Sequence, residues 1–542
     1  MTARSDASVK RLTLIACIIG SGIAMLDGTI VNVALPTIQR SLGGGLAAQQ
    51  WVVNAYLLTL GSLILLGGSL GDLYGERRVF AMGVSGFGAA SLACAIAPSI
   101  GALIAARALQ GVAGALLVPS ALAVIVNTFS ADERGPAIGS WTAWGAIAAV
   151  LGPLAGGELL AVASWRWVFL VNVPFVAACL TLILIVIPRA EQRRAGARRV
   201  DVPGALLCAA GLGGPVFALI EQPRLGWSSS GVLGPLIAGV FLFGCFLLFE
   251  SRARDPMLPL GLFRRRNFSA GNVETFSMYA GLSVLFFFLV LFLQQVGGYS
   301  PLKSGLATLP TTVVLFVLSR RFGALADRYG PRFFMGAGPL IAAAGLLLLQ
   351  RVGVQVHYLS EVLPAVLVFA LGLAMTVAPL TAAVLAGAER SQAGIASGVN
   401  NAIARVAGLL ATAAIGAAVA GSFGSALDGR LAGVALGAPA RAAVAQAKRL
   451  ALGVPNLKGV PAGQAHLLRV AAQQASLHSF HLGLGIAAAL VAIGGLVGAA
   501  GIRNPRGPVH AKTCAGGQLV GVSSEIADAE AGERAPYTGS RA

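Results

Sequence analysis

Charge is what this chain has least of. Of 542 residues only 11% are Asp, Glu, Lys or Arg, against 56% hydrophobic, and mean hydropathy is +0.80. Soluble domains carry about 25% charged residues, so a soluble globular protein is excluded and a polytopic membrane protein is expected. Cysteine is sparse too. Cys17, Cys94, Cys179, Cys208 and Cys245 lie inside apolar runs and Cys514 in a polar tail, a pattern with no disulfide framework and no metal spacing. The five histidines sit in or beside polar segments, so no metal site is expected. No G-x-x-x-x-G-K-[ST] loop and no H-E-x-x-H helix occurs, which removes ATP-driven transport and zinc hydrolysis. Acidic or histidine pairs in interfacial loops, which a polytopic membrane enzyme needs, are also missing. The chain is expected not to be an enzyme and to use no cofactor. A proton gradient is then the natural energy source.

What is present is apolar run after apolar run. A span needs about 20 residues to cross roughly 30 Å of hydrocarbon. By that rule about fourteen helices are expected, the first at 12–34 and the last at 479–502. The basic start MTARSDASVKR leads into a run too long for a signal peptide, so it is read as a retained span. Lys and Arg concentrate in the loops after even spans, while loops after odd spans hold only Arg40, Arg166, Arg224, Lys303 and Arg351, the long one aside. The positive-inside rule then places both termini in the cytoplasm of a cell inner (plasma) membrane protein. The net charge of +18 is explained by orientation, without nucleic acid.

Two basic loops, RAEQRRAGARR and ESRARDPMLPLGLFRRR, divide the chain. A cytoplasmic N-terminus (1–11) precedes a six-helix bundle (12–188), a two-helix insert (189–268) and a second six-helix bundle (269–502). The second bundle carries a long external loop (421–478), in which 440–452 suits an amphipathic helix or hairpin, and a disordered tail (503–542) follows. A repeat supports the division: GSLGDLYGERR (68–78) and GALADRYGPR (323–332) share G-x-L-x-D-x-Y-G-x-R after the second long span of each half.

Against this background each buried charge stands out, because a charge at membrane depth costs about 2.5–3.5 kcal/mol on insertion scales. Asp27 interrupts the first span roughly 22 Å from its start, and Arg107 lies about 10 Å along the fourth, which runs the opposite way. They reach similar depth, with Gln110, Gly111 and Gly114 near the arginine's face. A functional pair and a static packing pair both remain open here. Span 5 carries Gly152, Pro153, Gly156 and Gly157, which suit a bent helix packed tightly on a neighbour. Glu158 is about 32 Å along that span, at its outer end. Glu274 is about 9 Å into span 9 and Arg405 about 13 Å into span 13 beside Asn400 and Asn401, making them a candidate second pair. Phe286, Phe287, Phe288 and Phe292 suit either an apolar ligand or the core.

Taken together, LDGTIVNVALP (26–36), GSLGDLYGERR, RALQG (107–111) and GPLAGG (152–157) resemble the major facilitator superfamily, specifically its fourteen-helix drug:proton antiporter branch. The resemblance covers nearly the whole chain up to about Ile502. It implies that Asp27 exchanges protons with substrate, that Arg107 modulates its proton affinity, and that GPLAGG is the antiporter hinge. It also implies a conformational latch between bundles at Asp72, Gly75 and Arg77, with a second copy at Asp327, Arg328 and Arg332. Leu73 and Glu76 stand where the superfamily often has basic residues, so the first latch is weaker in charge. The expected function is export of amphipathic or cationic small molecules, such as drugs or antibiotics, in exchange for protons by a lipid-embedded monomer. A dedicated exporter of one metabolite or self-made antibiotic is the alternative.

Overall fold

The computed structural model describes residues 6–187, 200–254, 256–386, 393–453 and 455–504. The basic loop 189–199 and the tail from residue 505 lie outside the described residues. The protein is all helical, as lipid requires of a chain that must satisfy its backbone internally. Fourteen helices are long and apolar enough to cross a membrane, by length and composition.

The first bundle comprises α1 (Asp6–Leu42), α2 (Leu46–Tyr74), α3 (Glu76–Ile96), α4 (Ile100–Thr128), α5 (Ala131–Val162) and a sixth span broken into α6 (Trp167–Leu170) and α7 (Asn172–Val186). The insert is the hairpin α8 (Val202–Leu225) and α9 (Ser230–Arg252). The second bundle contains α10 (Arg266–Gln295), α11 (Pro301–Tyr329), α12 (Pro331–Leu348), α13 (Leu363–Ala386), α14 (Ala393–Leu431) and α16 (Ala462–Gly501), with the short α15 (Ala438–Leu450) between the last two. We call the end where α1 begins and α16 finishes the terminal face, and the opposite end the far face.

The two copies of the repeated motif form the same turn. The α2–α3 junction needs φ +90° at Gly75 and the α11–α12 junction φ +86° at Gly330, a region closed to most side chains. The bundles meet along two seams. One is α5 against α11, and the other is α2 against α14. The insert lies over the second: Val216 and Ile220 of α8 cluster with Leu409 and Ala413 of α14 and with Trp51 and Leu58 of α2. Trp51 Nε1 also donates to Glu221 Oε1 at 3.1 Å.

One expectation changes. The stretch 421–478 is mostly helix, because α14 continues to Leu431 and α16 starts at Ala462. Hydropathy ends a span where polar residues begin, but nothing in that transition ends a helix rich in Ala, a strong helix former. The segment left between them contains α15, whose Ala440, Ala443 and Ala447 are buried. The fifth span, α5, runs as one helix from Ala131 to Val162 through both Pro136 and Pro153.

Hydrogen bonds described between the bundles all lie toward the far face. Gln295 donates to Gln39 Oε1 at 3.1 Å, Gln294 to the Val33 carbonyl at 3.0 Å, and Thr412 to Asn54 Oδ1 at 2.9 Å. Gln50 donates to the Thr412 carbonyl. Nothing comparable is described toward the terminal face, so this conformation is sealed at the far end.

Candidate transport site: a buried carboxylate and its donors

Asp27 is fully buried on α1. Its Oδ2 accepts from Arg107 at 2.5 Å, and its Oδ1 accepts from Gln110 Nε2 at 2.9 Å and Asn172 Nδ2 at 3.2 Å. The arginine is held from three more directions. Its Nε donates to the Val52 carbonyl at 3.0 Å, an N–H donates to Gln110 Oε1 at 2.6 Å, and its guanidinium carbon lies 4.4 Å from the centre of the Tyr56 ring. Ser91 Oγ accepts from both Gln110 and Asn172, at 2.9 and 3.3 Å. Five helices, α1 to α4 and α7, therefore converge on one carboxylate.

Local sequence explains how they reach it. Arg107 and Gln110 are three residues apart and share a face of α4. Gly111 lets that face approach α2: a methyl group there would lie 2.1 Å from Thr59 Oγ1 and 2.4 Å from the Tyr56 carbonyl. The GPLAGG glycines do the same for α5. A methyl at Gly152 would meet Thr29 Oγ1 at 2.0 Å, and one at Gly156 would meet Ile30 Cγ1 at 2.6 Å, both on α1. Gly157 turns the other way, where a methyl would lie 2.4 Å from Leu302 Cα on α11. Pro153 faces α11 as well, since a methyl at Gly305 would lie 2.7 Å from its carbonyl. This helix face packs α1 on one side and the opposite bundle on the other.

The remaining candidates scatter. Glu158 is exposed. Glu274 is fully buried with neither carboxyl oxygen hydrogen-bonded. It does not pair with Arg405. A methyl at Gly498 of α16 would lie 2.4 Å from Glu274 Oε2, whereas Arg405 backs onto α2, its Cβ 3.4 Å from where a Gly61 methyl would stand. Depth counting places both residues near one another along the bundle axis, but helix rotation sends them to different neighbours. Asn400 donates instead to Asn272 Oδ1 at 2.9 Å and Thr275 Oγ1 at 2.7 Å. Phe287, Phe288 and Phe292 are core residues, Phe292 stacking on Phe480 at 4.3 Å.

Arg77 and Arg332 occupy matched positions and make matched bonds within their own bundles. Arg77 donates to the carbonyls of Ile183 at 3.2 Å and Leu184 at 3.0 Å, at the end of α7. Arg332 donates to the Ala499 carbonyl at 2.6 Å, at the end of α16. Each braces the last helix of its half, where unpaired carbonyls and the negative end of the helix dipole favour a cation. Neither is bonded to the opposite bundle in this conformation. Arg328 lies over Tyr329, 5.4 Å from the ring centre. The side chains of Asp72 and Asp327 lie outside the described residues. Arg77→Ala is expected to lower stability by about 1 kcal/mol, the usual worth of such bonds near solvent. A fall in the thermal midpoint of detergent-purified protein measures it.

Tyr56, Ser91 and Asn172 are functional neighbours that the sequence reading passes over. The available signal was weak: neutral polar residues recur along these apolar runs, and nothing in the sequence marks these three.

The family model of the Major Facilitator Superfamily matches residues 17–412. The chain is 40% identical over 395 residues to the puromycin resistance protein pur8 of Streptomyces alboniger, covering 72% of this chain and 78% of that one. It is 36% identical over 420 residues to the tetracenomycin C resistance and export protein of Streptomyces glaucescens, covering 76% of each. In fold it is similar to a bacterial homolog of the human lysosomal transporter Spinster, in an inward-facing and unoccupied conformation. There the TM-score is 0.61 at 16% identity, over 92% of this chain and 99% of that one. Two helical bundles with a shared turn motif, a carboxylate enclosed in the first of them, and relatives matched over most of their length lead to one assignment: this multi-pass membrane protein belongs to the Major Facilitator Superfamily and is a transporter of small molecules.

Proposed function

We propose that the protein is a proton-coupled antiporter that exports amphipathic small molecules, antibiotics among them, across the plasma membrane by alternating access. The observation that carries this reading is the enclosure of Asp27 by three donors, one of them a guanidinium. A carboxylate so held is a two-state element. Ionised, it ties α1 to α4 and α7, and once protonated it loses its strongest bond and frees Arg107 to repartition. Proton binding thus becomes a change in helix packing, which coupling requires. Arg107 sets how readily the proton is taken, and the α5 glycine face, packed on α1 and α11, carries the change to the seam.

In this reading both termini are cytoplasmic, consistent with the distribution of Lys and Arg. The sealed far face is then the external one, and the conformation faces inward. The protein acts as a monomer without a cofactor, driven by the proton gradient alone. The names of the relatives, puromycin resistance and tetracenomycin C resistance and export, support antibiotics as cargo. They equally favour a narrower reading, a dedicated exporter of one compound, because each names a single drug. A panel of ligands against purified protein separates the two: one tight hit indicates the dedicated exporter, many weak hits the broad one.

The general proposal is tested in everted vesicles. Acidifying the lumen should drive ethidium accumulation, and nigericin should abolish it. Accumulation that ignores the gradient and follows ATP would overturn the reading.

A further inference from the structure

Arg405 is a charge with no neutralising partner among the described residues. It projects from the middle of α14, roughly 18 Å from the start of that helix. No carboxylate pairs with it among the described residues, and its Nε is buried without a hydrogen-bond partner. The ionisable groups within electrostatic range are the phenols of Tyr56 on α2 and Tyr279 on α10. It therefore stands where three helices from both bundles meet. Gly61 on α2 leaves the facing wall without a side chain, and Ser283 on α10 lies against Gly408, one turn along α14, where a methyl would meet its Oγ at 2.5 Å.

None of the acids in the spans reaches Arg405. Asp27 is enclosed and saturated by Arg107, Gln110 and Asn172. Glu274 is turned toward Gly498 of α16, and Glu158 is exposed. The uncompensated charge at mid-depth between the bundles is thus positive. An unpaired guanidinium in a low-dielectric seam is costly unless something visits it, and its planar fork matches a carboxylate.

We propose that Arg405 anchors the acidic group of the cargo, and that amphipathic organic acids bearing a carboxylate are the preferred substrates. The carboxylate takes the guanidinium, the Tyr279 and Ser283 hydroxyls flank it, and the apolar body lies against the half-buried ring of Tyr279. This inference rests on the export reading and narrows its substrate class from amphipathic molecules in general to acids.

The test compares pyrenebutyrate with pyrenebutanol, which share an apolar body and differ in the acid. Binding is measured by equilibrium dialysis of the full chain in nanodiscs of uncharged lipid. Wild type should prefer pyrenebutyrate. Arg405→Gln should weaken pyrenebutyrate by about tenfold or more, the usual worth of a hydrogen bond to a charged group, and leave pyrenebutanol unchanged. Arg405→Lys should recover part of the preference, since it restores charge without the fork. Equal binding of the two probes by wild type would overturn the proposal without recourse to any variant. So would an Arg405→Gln protein that loses both probes in parallel, which would mark the arginine as a packing element. Failure of the export reading looks different: wild-type vesicles show gradient-driven uptake of neither pyrenebutyrate nor ethidium while the binding preference persists.

Discussion

Asp27→Asn should reduce proton-driven export to the level of vesicles lacking the protein, while probe-for-probe exchange across the same membranes continues. Asparagine keeps the size of the side chain and one oxygen for Arg107, but it carries no titratable proton. Its amide N–H groups also face Gln110 Nε2 and Asn172 Nδ2, which both donate to Asp27 now. Truncation to Ala would be a poorer test. Removing one partner of a buried ion pair costs about 3–5 kcal/mol, enough to confuse misfolding with uncoupling. The paired assay separates the two roles. Exchange needs the cycle without a net proton, so loss of driven export alone marks Asp27 as the coupling residue. Loss of exchange as well would make it a packing residue, and the proposal for Asp27 would fail.

Gly157→Val should open the far face. The added Cβ would lie 2.4 Å from Leu302 Cα and 2.9 Å from Leu302 N, and these are backbone atoms that no rotamer change can move aside. The helices α5 and α11 must separate to admit it. Overpacking of this kind costs about 1–3 kcal/mol, which shifts a two-state equilibrium about 5- to 150-fold away from the closed seam. Spin labels at Ser164→Cys and Gln355→Cys, exposed positions in far-face loops of opposite bundles, report the change as longer distances. Gly101→Val is the control, because no atom lies within 4 Å of its added Cβ. Unchanged distances in Gly157→Val would mean that this contact does not help close the seam.

Much of the architecture was legible because lipid restricts the choices. Fourteen apolar runs and a repeated G-x-L-x-D-x-Y-G-x-R turn are enough to lay out two bundles and an insert. Asp27 and Arg107 were legible for the same reason, since an isolated charge in an apolar run is conspicuous. Ser91 and Asn172 were not, because single neutral polar residues are common in such helices and cost little. The supposed pair of Glu274 with Arg405 shows a second limit. Residue counting gives depth along a helix but not rotation about it, and rotation decided the outcome. The ends of α14 and α16 show a third, since hydropathy reports where a helix leaves lipid and not where it stops.

The insert has a consequence for how molecules dissolved in the bilayer reach the protein. With α8 laid across the junction of α2 and α14, that flank is roofed over, while neither helix of the insert is packed over the flank between α5 and α11. A pump assembled from two similar halves is therefore one-sided toward lipid. A lipophilic compound diffusing within the leaflet meets α8 at one seam and the bare contact of α5 with α11 at the other.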